Sequence, residues 1–407
     1  MSNSMYYVLL TTLGLLFSLF AWKNFRGALI LFSGLLPVYL LRLSIGPLPT
    51  TLLEVLLLIL IGVWLIKHRP SWKEIKTIPW LKPATLFIFA ASIAVFIAAD
   101  TANALGIWKA YFVEPILLAV IFTTTLKSAE WSTVFKAVGV SAAALSFFAI
   151  LQYATELGIP TPWDIELRVT SLFDYPNALG LFLAPILSYG LVQYAQKKDR
   201  AFWAGISALS FIAILLSRTE AALVAIPAAL FIAMLLSPLS IKIKNVLTAS
   251  TLLTATLAIA LIPTVQEKLL LQDHSGQVRQ SQWTETAELM QAHPLLGVDI
   301  NGYPIALVPY HDALQYEIFQ YPHNIFLNIW SELGLLGLVS FSWLAWLVLR
   351  RSTFSDLRSP ISLAIFTALL TMTIHGLVDV PYFKNDLAVL TWIFIAALFA
   401  TRSTAKS

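Results

Sequence analysis

Tyr321-Pro322-His323-Asn324 runs without interruption into IFLNIWSELGLLGLVSFSWLAWLVL, residues 325–349, where Glu332 is the only charged side chain. An apolar stretch of this length, rising about 1.5 Å per residue as a helix, exceeds the roughly 30 Å of a bilayer's hydrocarbon core and predicts a membrane-spanning helix. Pro322 restricts the backbone just before it, and Asn324 can accept hydrogen bonds from its first free amides. His323 therefore stands at the mouth of a membrane helix, where the longest polar stretch of the chain ends. An imidazole so placed has the chemistry of a general base toward a hydroxyl. Taken alone, it also reads as an interfacial histidine bonded to a loop carbonyl.

The rest of the chain is of the same kind. Hydrophobic residues make up 58%, charged residues 12%, and the mean hydropathy is +0.79. A soluble domain of 407 residues could not keep that surface in water, so the fold class is an all-α polytopic membrane protein. Apolar runs predict spans near 5–21, 27–44, 50–66, 84–98, 106–126, 132–156, 177–195, 201–217, 220–237, 245–263, 324–347, 359–378 and 385–401, about 12–13 helices in all. The first run lacks a basic leader and a small-residue cleavage site and reads as a spanning helix. The chain divides into N-terminal helices (1–156), central helices with Arg168 and Arg218 at the outer face (157–263), a long outer loop (264–323) and C-terminal helices (324–407). There is no cysteine, which excludes disulfides, thiolate nucleophiles and cysteine metal sites.

Charge orients the helices. Of the 26 Lys and Arg residues, 19 fall on alternate loops, which the positive-inside rule assigns to the cytoplasm; Arg350, Arg351, Arg358, Arg402 and Lys406 are among them. Arg42, Lys109, Arg168, Arg218, Lys268, Arg279 and Lys384 stand against that bias, on the side of His323. A cation placed there needs a partner or a task. The net charge of +4 follows from this topology, and no basic run interleaved with aromatics points to nucleic acid.

The 264–323 segment is several times the usual loop length. Within it, Trp283, Ala287 and Met290 recur at helical spacing and predict an amphipathic helix on the membrane surface, opened by Arg279. Arg168 lies in the other long outer segment, and Arg218 breaks two apolar runs in LLSRTEAAL. Guanidinium groups fork onto phosphate oxygens, so several converging at a lipid surface would suit a diphosphate headgroup. His375 and Asp379, four residues apart at a helix end, could orient a site residue or bind substrate. Glu332, nine residues after His323, falls on the opposite helical face; Gly334, Gly337 and Gly376 are expected to let helices approach. No phosphate-binding glycine loop, HExxH motif or nucleophile elbow is present.

The segment HNIFLNIWSELGLLGLVSF (323–341) resembles the signature of the bacterial O-antigen ligase and O-antigen polymerase superfamily, in which His-Asn opens a helix bearing Glu-x-Gly-x-x-Gly. RVTSLFDYPNALGLFLA, LLSRTEAAL and AHPLLGVDINGY are similar, in order, to the family's Arg…Pro-Asn…Leu-Gly, Ser-Arg and His-Pro-Leu-Leu-Gly-Val-Gly stretches, so the likeness spans about 165 to 380. Thr219 and Asp299 depart from it, standing where the family commonly has glycine. The resemblance implies a GT-C-like membrane glycosyltransferase that works without metal or cofactor. It implies that His323 is essential and that Arg218 and Arg279, with Arg168 as a further candidate, contact the diphosphate of a polyprenyl-linked sugar donor. Asn324, His375 and Asp379 are candidates for support.

The expected reaction is glycan transfer from an undecaprenyl-diphosphate carrier to a lipid or glycan hydroxyl, with inversion, in lipopolysaccharide or polysaccharide biosynthesis. Its place would be the outer face of the bacterial cytoplasmic membrane, among membrane lipids and without nucleic acid. A repeat-unit polymerase of the same superfamily and, from another class, a membrane transporter are the alternatives.

Overall fold

The computed structural model describes residues 3–45, 48–237, 239–313, 315–351, 357 and 359–401; Arg358, Arg402 and Lys406 of the charge count lie outside them. The architecture is a bundle of membrane helices. Helix α1 (Asn3–Lys23) packs on α3 (Leu52–Val63), with α2 (Phe25–Gly34) between them in sequence. The expected span 27–44 is not one helix: α2 stops at Gly34, a 3₁₀ turn follows over Leu36–Leu40, and β1 (Arg42–Ile45) pairs antiparallel with β2 (Leu48–Thr51). Pro37 at the first turn of the 3₁₀ segment explains the break, since it has no amide to continue α2.

A short turn, α4 (Trp72–Ile75), leads to α5 (Leu81–Ile97), and α6 (Thr101–Ile107) continues through a π-helical stretch into α7 (Glu114–Thr125). Next come α8 (Trp131–Thr155), α9 (Pro176–Ala195), α10 (Arg200–Ser217), α11 (Glu220–Leu236) and α12 (Ile241–Leu261). The long loop holds α13 (Pro263–Leu269), α14 (His274–Ala292) and α15 (Tyr303–Leu307), after which α16 (Ile325–Arg351), α17 (Pro360–His375) and α18 (Asn385–Ala400) complete the chain. Among the described residues, seven helices are long and apolar enough to cross a membrane, and five shorter apolar helices pack with them. This is a multi-pass membrane protein.

At the centre, α9 packs against α10 and α17, α17 against α11, α18 against α7, and α16 against α5. Trp80, Trp131, Trp203 and Trp392 are fully buried where these helices meet. Helix α14 forms where the Trp283, Ala287 and Met290 stripe predicts a helix, and Met290 is buried, but the buried face is centred elsewhere. It buries Val278, Gln282, Thr286 and Leu289, while Ala287 is exposed, and the Trp283 indole N–H donates to the Pro322 carbonyl at 2.9 Å. The loop's own small core of Leu289, Tyr303 and Leu307 draws the helix onto protein.

Helix α16 is broken inside the bundle. Gly334 has φ +67 and ψ −170, a conformation open essentially to glycine alone, and a Cβ there would lie 2.2 Å from the Leu295 carbonyl oxygen. In a straight helix the Leu335 amide would bond the Ser331 carbonyl. Here the amide donates to the Leu295 carbonyl (3.0 Å), and the Ser331 carbonyl accepts from the Val298 amide (2.7 Å). The expectation that Gly334 and Gly337 bring helices together is corrected: Gly334 admits the 295–298 turn of the long loop, and Gly337 abuts Leu333 of its own helix. Gly376 does mark a close approach, to Ile325 of α16.

Candidate active site

The helix ends opposite those carrying the cationic loops meet in one place: the start of α9, the end of α10, the start of α16 and the end of α17. Asn324 caps α16 as the sequence suggested, its side-chain oxygen accepting from the Phe326 (3.0 Å) and Leu327 (3.2 Å) amides. Its amide nitrogen donates to the Leu377 carbonyl at 3.0 Å, and the Ile325 amide donates to the Gly376 carbonyl at 2.8 Å. The mouth of α16 is thus bound to the turn that follows α17, and that turn carries Asp379.

His323 sits in left-handed backbone, φ +47, with the Phe319 and Tyr321 rings edge-on at 5.1 Å on either count. Its buried Nδ1 faces a carboxylate oxygen of Asp379 at 3.7 Å, too long for a hydrogen bond and short enough for a strong Coulombic contact. Asp379 is buried; it accepts from the Val380 amide at 2.8 Å and from the Asn177 side chain at 3.3 Å. Burial alone would raise its carboxyl, but His323, His375 and the Val380 amide hold it below the ordinary aspartate value. His375 is buried beside Asp379, four residues before it.

From Asn177 the contacts lead to the arginines. The Arg168 guanidinium donates to the Asn177 side-chain oxygen at 3.5 Å and to the Ser217 carbonyl at 3.2 Å, and stacks on Trp163 with 4.9 Å to the ring centre. Arg218 follows Ser217, exposed and in left-handed backbone at φ +52 as α10 ends. Burial pulls the Arg168 guanidinium below its ordinary value, Glu166 and Glu220 partly restore it, and Arg218 lowers it further. Arg279, on α14, donates to the Val378 carbonyl at 3.0 Å, one residue before Asp379. Arg168, Arg279, His323 and Asp379, from four separate segments, are therefore joined by contacts, and Arg218 adjoins them through Ser217.

Of the other four exceptional cations, Arg42 lies exposed on β1 and the three lysines have partners close in space. Lys109 pairs with Glu54 at 2.8 Å, Lys268 pairs with Glu220, and the Lys384 ammonium lies 3.7 Å from the Phe173 ring centre and 3.9 Å from Asp386. Glu332 is buried and faces Asn301 and Asp299, away from His323, as its helical phase requires. Both departures from the family pattern are accommodated: Asp299 takes φ +89, and Thr219 fills space left by Gly180, whose Cβ would lie 2.3 Å from the threonine methyl.

Two participants escaped the sequence reading. Asn177, within DYPNALG, stands directly after a helix-opening proline with no cap to make, which is the signal that could have found it. Tyr175 is a second; its ring lies beside Tyr321 and Asp379, and burial followed by Asp379's charge raises its hydroxyl well above the ordinary tyrosine value. No curated protein matches the chain. Residues 205–342, which carry Arg218, Arg279 and His323, match the protein-family model described as O-antigen ligase, and this supports the chain's place in the O-antigen ligase and polymerase superfamily.

Proposed function

We propose that the protein transfers a glycan from an undecaprenyl-diphosphate carrier to a hydroxyl acceptor at the outer face of the cytoplasmic membrane. The observation that carries this reading is the network joining an imidazole–carboxylate pair to the Arg168 and Arg279 guanidinium groups at the mouth of a membrane helix, with Arg218 next in sequence to the Ser217 carbonyl that Arg168 holds. Arg218 and Arg279 bind the diphosphate, with Arg168 bracing Arg218 through the Ser217 carbonyl and adding its own charge. Asp379 places a negative charge beside His323 Nδ1, where it favours the imidazolium, and leaves Nε2 for the acceptor.

The acceptor oxygen attacks the anomeric carbon while its proton passes to His323 Nε2. The bond from the anomeric carbon to the diphosphate oxygen breaks, and its electron pair leaves on the diphosphate, where the arginines neutralise the growing charge. The products are a glycosylated acceptor and undecaprenyl diphosphate, and single displacement inverts the anomeric centre. Charge neutralisation by guanidinium groups assigns no step to a metal ion. A ligase and a repeat-unit polymerase differ only in the acceptor.

Purified protein given lipid-linked oligosaccharide and acceptor should release undecaprenyl diphosphate together with glycosylated acceptor, and His323→Ala should abolish both. Full turnover in that variant would remove His323 as the base. Solute flux in proteoliposomes without glycan transfer would replace the reading with a transporter.

A further inference from the structure

Helices α16 and α17 are neighbours in sequence and meet at one end, where Ile325 lies against Gly376. Below that point α16 leans on α5 and α17 on α9 and α11, so the two diverge. The space between them is a cleft of about 110 Å³ lined by Phe87 of α5, Ile325 and Phe341 of α16, Phe366 and Met372 of α17, and Pro381. Its aromatic polar groups are spent internally: the Trp392 indole donates to the Tyr382 hydroxyl (3.0 Å), which donates to the Tyr111 carbonyl (2.6 Å). The cleft thus offers its occupant almost nothing but hydrocarbon and ring faces.

The position of its mouth matters most. Ile325 is two residues after His323, and Pro381 two residues after Asp379, so the lining begins where the imidazole–carboxylate pair ends. The same turn supplies the Val378 carbonyl that holds Arg279. We infer that this cleft receives the isoprenoid chain of the lipid-linked donor, its first units lying between α16 and α17 while the diphosphate lies against Arg279. The inference rests on the transfer reading above. Arg279 is held at the Val378 carbonyl, three residues from Pro381 at the mouth of the cleft, so a lipid whose diphosphate lies against Arg279 has its first isoprene units within reach of that apolar lining. The volume suits only the proximal units, so the remainder of the chain runs out into the bilayer.

The test uses the whole purified protein and a sugar-diphosphate undecaprenol carrying a diazirine on its first isoprene unit. Irradiation should label peptides from 325–349 and 360–375. Labelling confined to other helices, or labelling of these peptides by an acyl-chain probe on the acceptor and not by the donor, overturns the inference. In parallel, Ala345→Trp fills the cleft from α16 and should reduce the preference for a geranyl donor over a methyl-capped sugar diphosphate, which has no isoprene unit to place there, by about tenfold in the ratio of kcat/KM, the equivalent of losing about two buried methylene groups. An unchanged ratio counts against the cleft. The two readings fail separately: wild-type protein that releases no undecaprenyl diphosphate from any donor refutes the transfer reading, whereas active protein labelled elsewhere refutes the cleft alone.

Discussion

Replacing Asp379 by asparagine keeps the shape of a buried side chain and removes its charge. Asparagine has one acceptor oxygen where Asp379 uses two, so it keeps the shorter bond from the Val380 N–H and gives up the longer one from the Asn177 amide; the 376–379 turn is still tied to α16 through Asn324. The loss falls on His323, whose ring receives a proton in the proposed reaction with Asp379 at 3.7 Å. The pair is largely shielded, with side-chain exposures of 15% and 1%, so an effective dielectric of about 20 is appropriate and the attraction for the imidazolium is about 4 kcal/mol. The asparagine dipole and entering water recover part of it. The net loss should lower kcat by about 100- to 1000-fold, with KM for the donor little changed, because the interaction exists only once the proton has moved. The assay is single-turnover release of undecaprenyl diphosphate from labelled donor, with elution as one monodisperse species as the folding control. A folded Asp379→Asn protein within about fivefold of wild type would refute the argument that this carboxylate stabilises the protonated imidazole.

Four further outcomes are expected. Arg218→Lys keeps a cation but loses the two-pronged geometry, so diphosphate release should slow by at least about tenfold; an unaffected rate would make Arg218 a topological residue. Gly334→Ala should destabilise the protein by at least about 3 kcal/mol through backbone strain and collision with Leu295, whereas Gly62→Ala, with open space around it, should stay within about 1 kcal/mol; monodisperse fraction after heating compares them. Asp379 has a depressed folded-state pKa, so its contribution to stability is present above the ordinary aspartate value and lost as pH falls through the folded value; Asp379→Asn should flatten the acid arm of thermal stability. His311 is raised above its ordinary value, chiefly by its hydrogen bond from Nδ1 to Glu285 at 3.0 Å. That stabilisation is full below about pH 6.5 and fades as pH rises through the folded value, so amide exchange near Tyr316 should quicken there in wild type and not in His311→Ala.

Most of the helix bundle could be read from apolar run length, because lipid permits little else. The exceptions arise where the chain satisfies its backbone from a distance. The 27–44 run is apolar throughout its first half, and only Gly34 and Pro37 betray that it turns into a hairpin. Gly334 looks like a packing glycine because composition cannot say whether its neighbour is a helix or a returning loop. In the site, cations set against the charge bias separated into two groups only in three dimensions. Lys109, Lys268 and Lys384 have partners from segments remote in sequence or hidden by burial, while Arg168 and Arg279 are tied to the turn that faces His323 and Arg218 adjoins Arg168's anchor at Ser217. Asp379 could be placed near a helix end by spacing, but its link to His323 depends on Asn324 tying α16 to the 376–379 turn, a contact between segments about fifty residues apart.

The exchanged hydrogen bonds at Gly334 bear on how this architecture can be recombined. A straight spanning helix is a portable part, complete in its own backbone. Helix α16 is not, since two of its bonds near mid-span are made by residues 295–298, which precede it in the polar loop. A chimera that exchanges the loop between relatives at residue 323 would leave one amide and one carbonyl stranded in hydrocarbon unless the incoming turn matched the break. The unit of inheritance is therefore the stretch from the 293–298 turn to Gly337, in which part of the water-facing loop and the membrane helix travel as one piece.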